Sequence, residues 1–136
     1  MSAPILWVEI PVSNFDRALS FYQNVFETKL ALRNFYGKKV GLFNSEIFGV
    51  KASINEVENY QGTNGIKPFF FVNVMADAID AVEENGGEII RRPALLKQTN
   101  EQGEVIIGSN LIDNEVGYYA EIKDSEGNHI YFYSHS

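Results

Sequence analysis

An α+β fold made of two βαβββ repeats is predicted for this 136-residue chain by three observations. The stretch VSNFDRALSFY around Val12 is answered 60 positions later by VNVMADAIDAV around Val72. Val12 matches Val72, Ala18 matches Ala78, Leu19 matches Ile79, and Tyr22 falls on Val82. In both copies an apolar strand run ends in a polar turn that opens a short amphipathic helix, and strand-like segments follow each helix. A repeat of half the chain implies two similar modules, with any cleft between them. A single domain is therefore expected over residues 1–136, with repeats at 1–55 and 67–136 joined by a polar linker at 56–66.

Taken in order, Ile5 to Pro11 (ILWVEIP) reads as a strand rich in Ile, Val and Trp. Ser13 or Asn14 can cap the following helix, because a short side-chain oxygen satisfies the free N–H groups of a first turn. Ala18, Leu19, Tyr22, Val25 and Phe26 then fall on one helical stripe. Lys29 to Phe35, Lys38 to Phe43 and Phe48 to Ile54 read as three short strands, with turns at Gly37 and at Asn44-Ser45 with Gly49. The polar run EVENYQGTNGIK, Glu56 to Lys67, contains Gly62 and Gly65 and supplies the linker.

Pro68 to Val74 (PFFFVNV) opens the second half as a nearly continuous apolar run, expected to be a buried strand. Ala76 to Asn85 is the second helix, with Ala78, Ile79 and Val82 inward and Asp80, Glu83 and Glu84 outward. Gly86-Gly87 stops it. Glu88 to Arg92 is a strand, Pro93 to Asn114 is irregular because Gly103 and Gly108 interrupt it, and Gly117 to Lys123 is a strand. The turn Asp124 to Asn128 leads to the last strand, His129 to Ser134.

Composition narrows the partners. Eighteen acidic against 11 basic side chains give a net charge of −7, the wrong sign for nucleic-acid backbones and anionic membranes. Lys38-Lys39 and Arg91-Arg92 are the only basic doublets. There is no cysteine, which excludes disulfides, thiolate catalysis and zinc–thiolate sites and suits a reducing cytosol. MSAPILWVEIPV has no basic n-region or long apolar h-region, and no run approaches the ~18 apolar residues of a membrane span. A cytoplasmic location is the expectation.

The segments WVEIPVSNFDRALSFYQNVF, ENGGEIIRRP and GYYAEIKDSEGNHIYFYS resemble the glyoxalase/bleomycin-resistance/dihydroxybiphenyl dioxygenase proteins, the vicinal-oxygen-chelate superfamily. The likeness covers essentially the whole chain and looks closest to a subgroup labelled predicted enzymes related to lactoylglutathione lyase. It implies curved mixed sheets forming a cup, usually completed in a homodimer. In metal-using members His or Glu stands at four strand positions. The corresponding residues here are Trp7, Lys67, one in the stretch Lys51 to Ser53, and Tyr131. None is a type that binds a divalent ion well, and the Lys67 ammonium would oppose one. No metal ligands and no cofactor are therefore expected.

If Tyr131 faces the cup, strand alternation puts His129 and Tyr133 beside it. Pairing across the Asp124–Asn128 turn sets Glu121 opposite Tyr131 and Tyr119 opposite Tyr133. Trp7 and Glu9 share one face of the opening strand, and Lys67, Phe69, Phe71 and Asn73 correspond to it in the second half. These 11 residues are the expected ligand-binding set, aromatic with a few polar groups. Glu9 is either a cleft carboxylate acting as general base or a partner for a Lys or Arg across the sheet. Glu121 is either a base or a carboxylate satisfied by a Tyr hydroxyl. Trp7 and Tyr131 either contact the ligand or plug the space where a metal would sit.

The leading expectation is a metal-free protein that binds a small aromatic organic molecule in the cup. The alternative is a metal-independent lyase or isomerase with Glu9 or Glu121 as catalytic base. A metal-dependent lactoylglutathione lyase- or dioxygenase-type enzyme ranks third.

Overall fold

The computed structural model describes residues 5–35, 37–43, 50–106 and 110–136. The expected turn at Asn44-Ser45 and Gly49, the start of the strand at Phe48, and Gly108 lie outside these residues. The order is β1 (Trp7–Val12), α1 (Phe15–Val25), β2 (Ala31–Phe35), β3 (Lys38–Leu42), β4 (Lys51–Glu56), β5 (Phe69–Phe71), α2 (Met75–Glu84), β6 (Glu88–Leu95), β7 (Gln98–Thr99), β8 (Val105–Ile106), β9 (Tyr118–Lys123) and β10 (His129–Ser134).

Two four-stranded sheets repeat one topology. The first runs β1-β4-β3-β2 and the second β5-β10-β9-β6. In each, the opening strand lies parallel to the last strand of its own half, and the other pairs are antiparallel. This is the expected βαβββ unit twice over, with the sheets left open. A two-stranded ribbon of β7 and β8 occupies the stretch expected to be irregular, because Gly103, at φ +81, closes a tight turn between them.

The helices form for local reasons. Asn14 is the N-cap of α1, its side chain accepting from the Arg17 N–H at 3.0 Å, and Asp16 in the first turn complements the helix dipole. The buried stripe is Phe15, Ala18, Phe21, Tyr22 and Val25, with Leu19 and Phe26 only partly buried. On α2 the buried residues Ala78, Ile79 and Val82 are those expected, joined by Met75. Gly86, at φ +87, ends the helix in the left-handed region.

Alternation in the strands decides the rest. Ile130 and Phe132 of β10 and Ala120 and Ile122 of β9 join the helices in one apolar cluster that runs through both halves. Phe70 turns inward and packs on Phe26 at 4.8 Å and Phe43 at 5.4 Å between ring centroids, joining the halves. Its neighbours turn outward: Phe69 is 47% and Phe71 57% exposed. That corrects the expected buried strand; the apolar run hides an alternation with only one side on the core.

The turn after β9 fastens the halves together. Glu126 Oε1 accepts from the Ser13 N–H, the Ser13 hydroxyl and the Asn14 N–H at 2.8–3.0 Å, and Oε2 accepts from Arg17 Nε at 2.6 Å. A carboxylate of the second half thus caps the first helix of the first half. Asp124 accepts from the buried Tyr22 hydroxyl at 2.6 Å, and Asn128 donates to the Pro11 carbonyl at 2.8 Å. The linker is tied to the same turn: Thr63 O accepts from the His129 N–H at 3.3 Å, and the Tyr60 hydroxyl donates to Asn128.

Candidate functional site

With the helices on one side of the sheets, the opposite faces carry the odd-numbered residues of β1, β9 and β10. On the first sheet this face holds a hollow of about 690 Å³ lined by Trp7, Glu9, Arg33, Val40, Leu42 and Ser53 among others. A second cavity of about 470 Å³ lies along β1 and the start of β5 and β10, where Trp7 and Glu9 recur with Ile66, Pro68 and His129. Trp7 and Glu9 therefore stand on the wall between two adjoining spaces. Both volumes fall in the range of small-molecule sites.

The expected register of the second sheet is observed, with Glu121 opposite Tyr131 and Tyr119 opposite Tyr133. It builds an aromatic row across three strands. Phe69 stacks on Tyr131 at 4.4 Å, and Tyr131 lies 6.2 Å from Tyr119. Cations flank the row: Lys67 Nζ sits 5.7 Å from the Tyr131 ring centre and the Arg91 guanidinium 5.9 Å from that of Tyr119.

The polar groups of this face converge on Glu121. Its Oε2 lies 2.7 Å from His129 Nδ1 and 3.6 Å from Lys67 Nζ. The hydrogen bond to His129 holds the Glu121 carboxyl below its ordinary range, against the opposing effect of burial and with help from Lys67. Glu9 has no hydrogen bond or ion pair with any described residue, so the expected alternative of a cross-sheet Lys or Arg partner is not what the geometry presents.

The four positions of the resemblance pair off within their own halves. Glu9 and Phe69, 60 residues apart, lie opposite Ser53 and Tyr131, so Ser53 is the counterpart of Tyr131. The Trp7 indole donates to Ser53 Oγ at 3.0 Å, and Lys67 covers Tyr131. Among the described residues, the group of three His, Asp or Glu side chains close enough to share an ion is an exposed one, Asp113, Glu115 and His135. There the 2.7 Å contact from His135 holds Asp113 down at about 2.

Three members of the expected set lie elsewhere. Tyr133 is 3% exposed, its hydroxyl donating to Asp113 and accepting from Asn110, under a segment whose fold the sequence did not disclose. Asn73 lines a separate hollow of about 370 Å³ with Asn24, Phe26 and Asp77, and Phe71, the last residue of β5, lines it too. Sequence reasoning missed Arg33, Val40 and Leu42 of the first hollow and Arg91 of the second face. The alternation used on β10 would have found the first three on β2 and β3. Arg91 was hidden by a bulge that shifts the β6 register between Ile89 and Ala94.

The sequence profile of the Glyoxalase/Bleomycin resistance protein/Dioxygenase superfamily matches residues 5–132. Similar solved structures include a glyoxalase/bleomycin resistance protein from Albidiferax ferrireducens, 18% identical over 96% of this chain and 98% of that one, with a TM-score of 0.64. A glyoxalase I mutant from Zea mays matches at 16% identity and a TM-score of 0.65, over 96% of this chain and 46% of that one. The fosfomycin resistance protein FosX from Listeria monocytogenes, solved with Mn(II) and sulfate, matches at 13% identity over 100% of this chain and 95% of that one, with a TM-score of 0.63. At these identities the likeness concerns the fold. No curated protein matches the chain.

Proposed function

The chain belongs to the glyoxalase/bleomycin resistance protein/dioxygenase superfamily, and from that premise we propose that its open sheet faces bind a small aromatic organic molecule without a bound metal ion. The observation that carries this reading is the hollow of about 690 Å³ walled by Trp7, Val40 and Leu42. The adjoining sheet adds the Phe69–Tyr131–Tyr119 row as a stacking surface, with Lys67 and Arg91 to orient a polar group. An indole N–H, a hydroxyl, an ammonium and a phenol do not fit a divalent cation at the four positions where relatives place ligands.

Trp7 is the chain's only tryptophan, so its fluorescence reports on the hollow directly. Titration with aromatic metabolites is expected to give saturable quenching, and a bound compound at a hundredfold excess over Kd to raise stability by about 2.7 kcal/mol. Elemental analysis of dialysed protein is expected to find no stoichiometric transition metal. One tightly held ion per chain would overturn the metal-free reading.

A second reading, a metal-independent lyase or isomerase, is favoured by the Glu9 carboxylate beside that hollow, which has no hydrogen bond or ion pair among the described residues. Glu121 fits the role of base less well, because the hydrogen bond to His129 and the Lys67 ammonium hold its carboxyl below the ordinary range and leave it weakly basic. A metal-dependent lyase or dioxygenase ranks third, because the Asp113, Glu115 and His135 group lies apart from the residues that line the hollow.

The homodimer is part of this proposal. Trp7 at 45%, Phe69 and Phe71 leave an apolar sheet face in water, and the sheets are open at their edges. A second copy would cover both. Sedimentation at micromolar concentration is expected to give the dimer mass, and a monomer alone would refute it. A cytoplasmic location accords with the absence of cysteine, and no helix among the described residues is long and apolar enough to cross a membrane.

A further inference from the structure

Resting on that reading of the open faces, we infer that His129 is the proton-transferring group of the site, positioned by Glu121 beside Lys67, and that the bound molecule is an aryl ketone with an acidic C–H. The inference starts from one oxygen. Glu121 Oε2 receives both His129 Nδ1 at 2.7 Å and the Lys67 ammonium at 3.6 Å. An ionised carboxylate only accepts hydrogen bonds, so Nδ1 carries the proton of the ring. In the neutral imidazole the lone pair then belongs to Nε2, which has no partner among the described residues. His129 lines the 470 Å³ cavity together with Trp7 and Glu9.

Lys67 and the Phe69–Tyr131 stack stand beside His129 on the same face of the second sheet, next to that cavity. A ring lying along the Phe69–Tyr131 stack has Lys67 at its side, and among the described residues the Lys67 ammonium touches only Glu121 and the Tyr131 face. A cation over an aromatic surface suits a carbonyl oxygen that becomes negative during reaction. His129 Nε2 takes the proton from the carbon next to the carbonyl. The C–H electron pair becomes the new C=C bond, and the C=O π pair moves onto oxygen, giving an enolate beside Lys67 and an imidazolium beside Glu121. Return of the proton to the same carbon, or to a conjugated one, restores the ketone and the neutral ring. Nothing else is consumed, so the reaction class is enolisation or isomerisation. Glu121 is a positioning residue here: it fixes the tautomer and offsets the transient charge, as a carboxylate behind a histidine does in other proton-transfer sites.

The probe is 1-tetralone, a bicyclic aryl ketone whose C–H exchange at the carbon next to the carbonyl is followed by proton NMR in D2O, with binding read separately by Trp7 fluorescence. Wild-type protein is expected to bind it and to accelerate exchange by ~10²–10⁴-fold over buffer. His129→Asn keeps a donor towards Glu121 but has no Nε2. It should still quench Trp7 fluorescence and retain its circular dichroism, while exchange falls to the buffer rate. Glu121→Gln should slow exchange through kcat rather than KM, because the ring stays present but is no longer held in one tautomer. Absence of quenching would remove both the binding reading and this inference. Quenching with exchange at the buffer rate, or exchange unaltered in His129→Asn, would overturn the inference and leave binding intact.

Discussion

Replacing Glu126 by alanine is expected to lower the free energy of unfolding by about 3 kcal/mol at neutral pH. One carboxylate accepts from the Ser13 and Asn14 N–H groups, the Ser13 hydroxyl and the Arg17 guanidinium, so its removal strips the start of α1 and parts the two halves. Burial alone would raise this carboxyl, but the bond from Arg17 and those from Asn14 and Ser13 outweigh it and hold it at about 2. A depressed carboxyl contributes stability that is complete above its unfolded value near 4.5 and is lost as pH falls toward about 2. With Arg17 half exposed, that part amounts to about 2 kcal/mol after screening. Neighbouring Asp124 acts in the opposite sense: burial raises its carboxyl, so its protonation at low pH favours the folded state. Urea unfolding of wild type and Glu126→Ala should therefore show a gap that narrows between pH 5 and pH 2. A gap that stays constant, or one below ~1 kcal/mol at pH 7, would show that this clamp does not hold the halves together.

Gly87→Ala is expected to cost a similar amount, about 3 kcal/mol. A Cβ at Gly87 would stand 2.7 Å from the Lys123 carbonyl oxygen, 2.7 Å from Val82 Cγ1 and 2.8 Å from Phe21 Cε2. One neighbour is backbone of a central strand and the other two are packed in the core, so none can yield cheaply. The adjacent Gly86 is the control. It takes φ +87 but has nothing within 4 Å of an added Cβ, so Gly86→Ala should show backbone strain alone, on the order of 1–2 kcal/mol. If the two variants prove equally stable, the close approach of α2 to β9 is not what requires glycine at position 87.

Much of the site was legible because a strand has a period of two. Once the D-x-x-G turn had been placed, the partners of His129, Tyr131 and Tyr133 followed, and the structure has that register. What alternation could not supply was which neighbours turn back on themselves. His129, expected beside Tyr131 in the ligand-binding set, is pressed against Glu121, a contact that strand alternation alone does not give. Tyr133 obeys the alternation and is nonetheless closed off, because Asn110 and Asp113 reach it from a segment with no periodic pattern. Asn73 lies two residues past the end of β5 at Phe71, a boundary that strand periodicity does not mark.

By itself the sequence determined the doubled βαβββ order and most of the apolar stripe that each helix buries. Those follow from local periodicity and residue chemistry, which act over a few neighbours. Only the tertiary structure decided that Glu126 caps a helix more than 100 residues away, that Lys67 and His129 meet at one oxygen of Glu121, and that Glu9 has no hydrogen bond or ion pair among the described residues. Such contacts join residues far apart in the chain, and their energies depend on burial and distance, which no local pattern encodes.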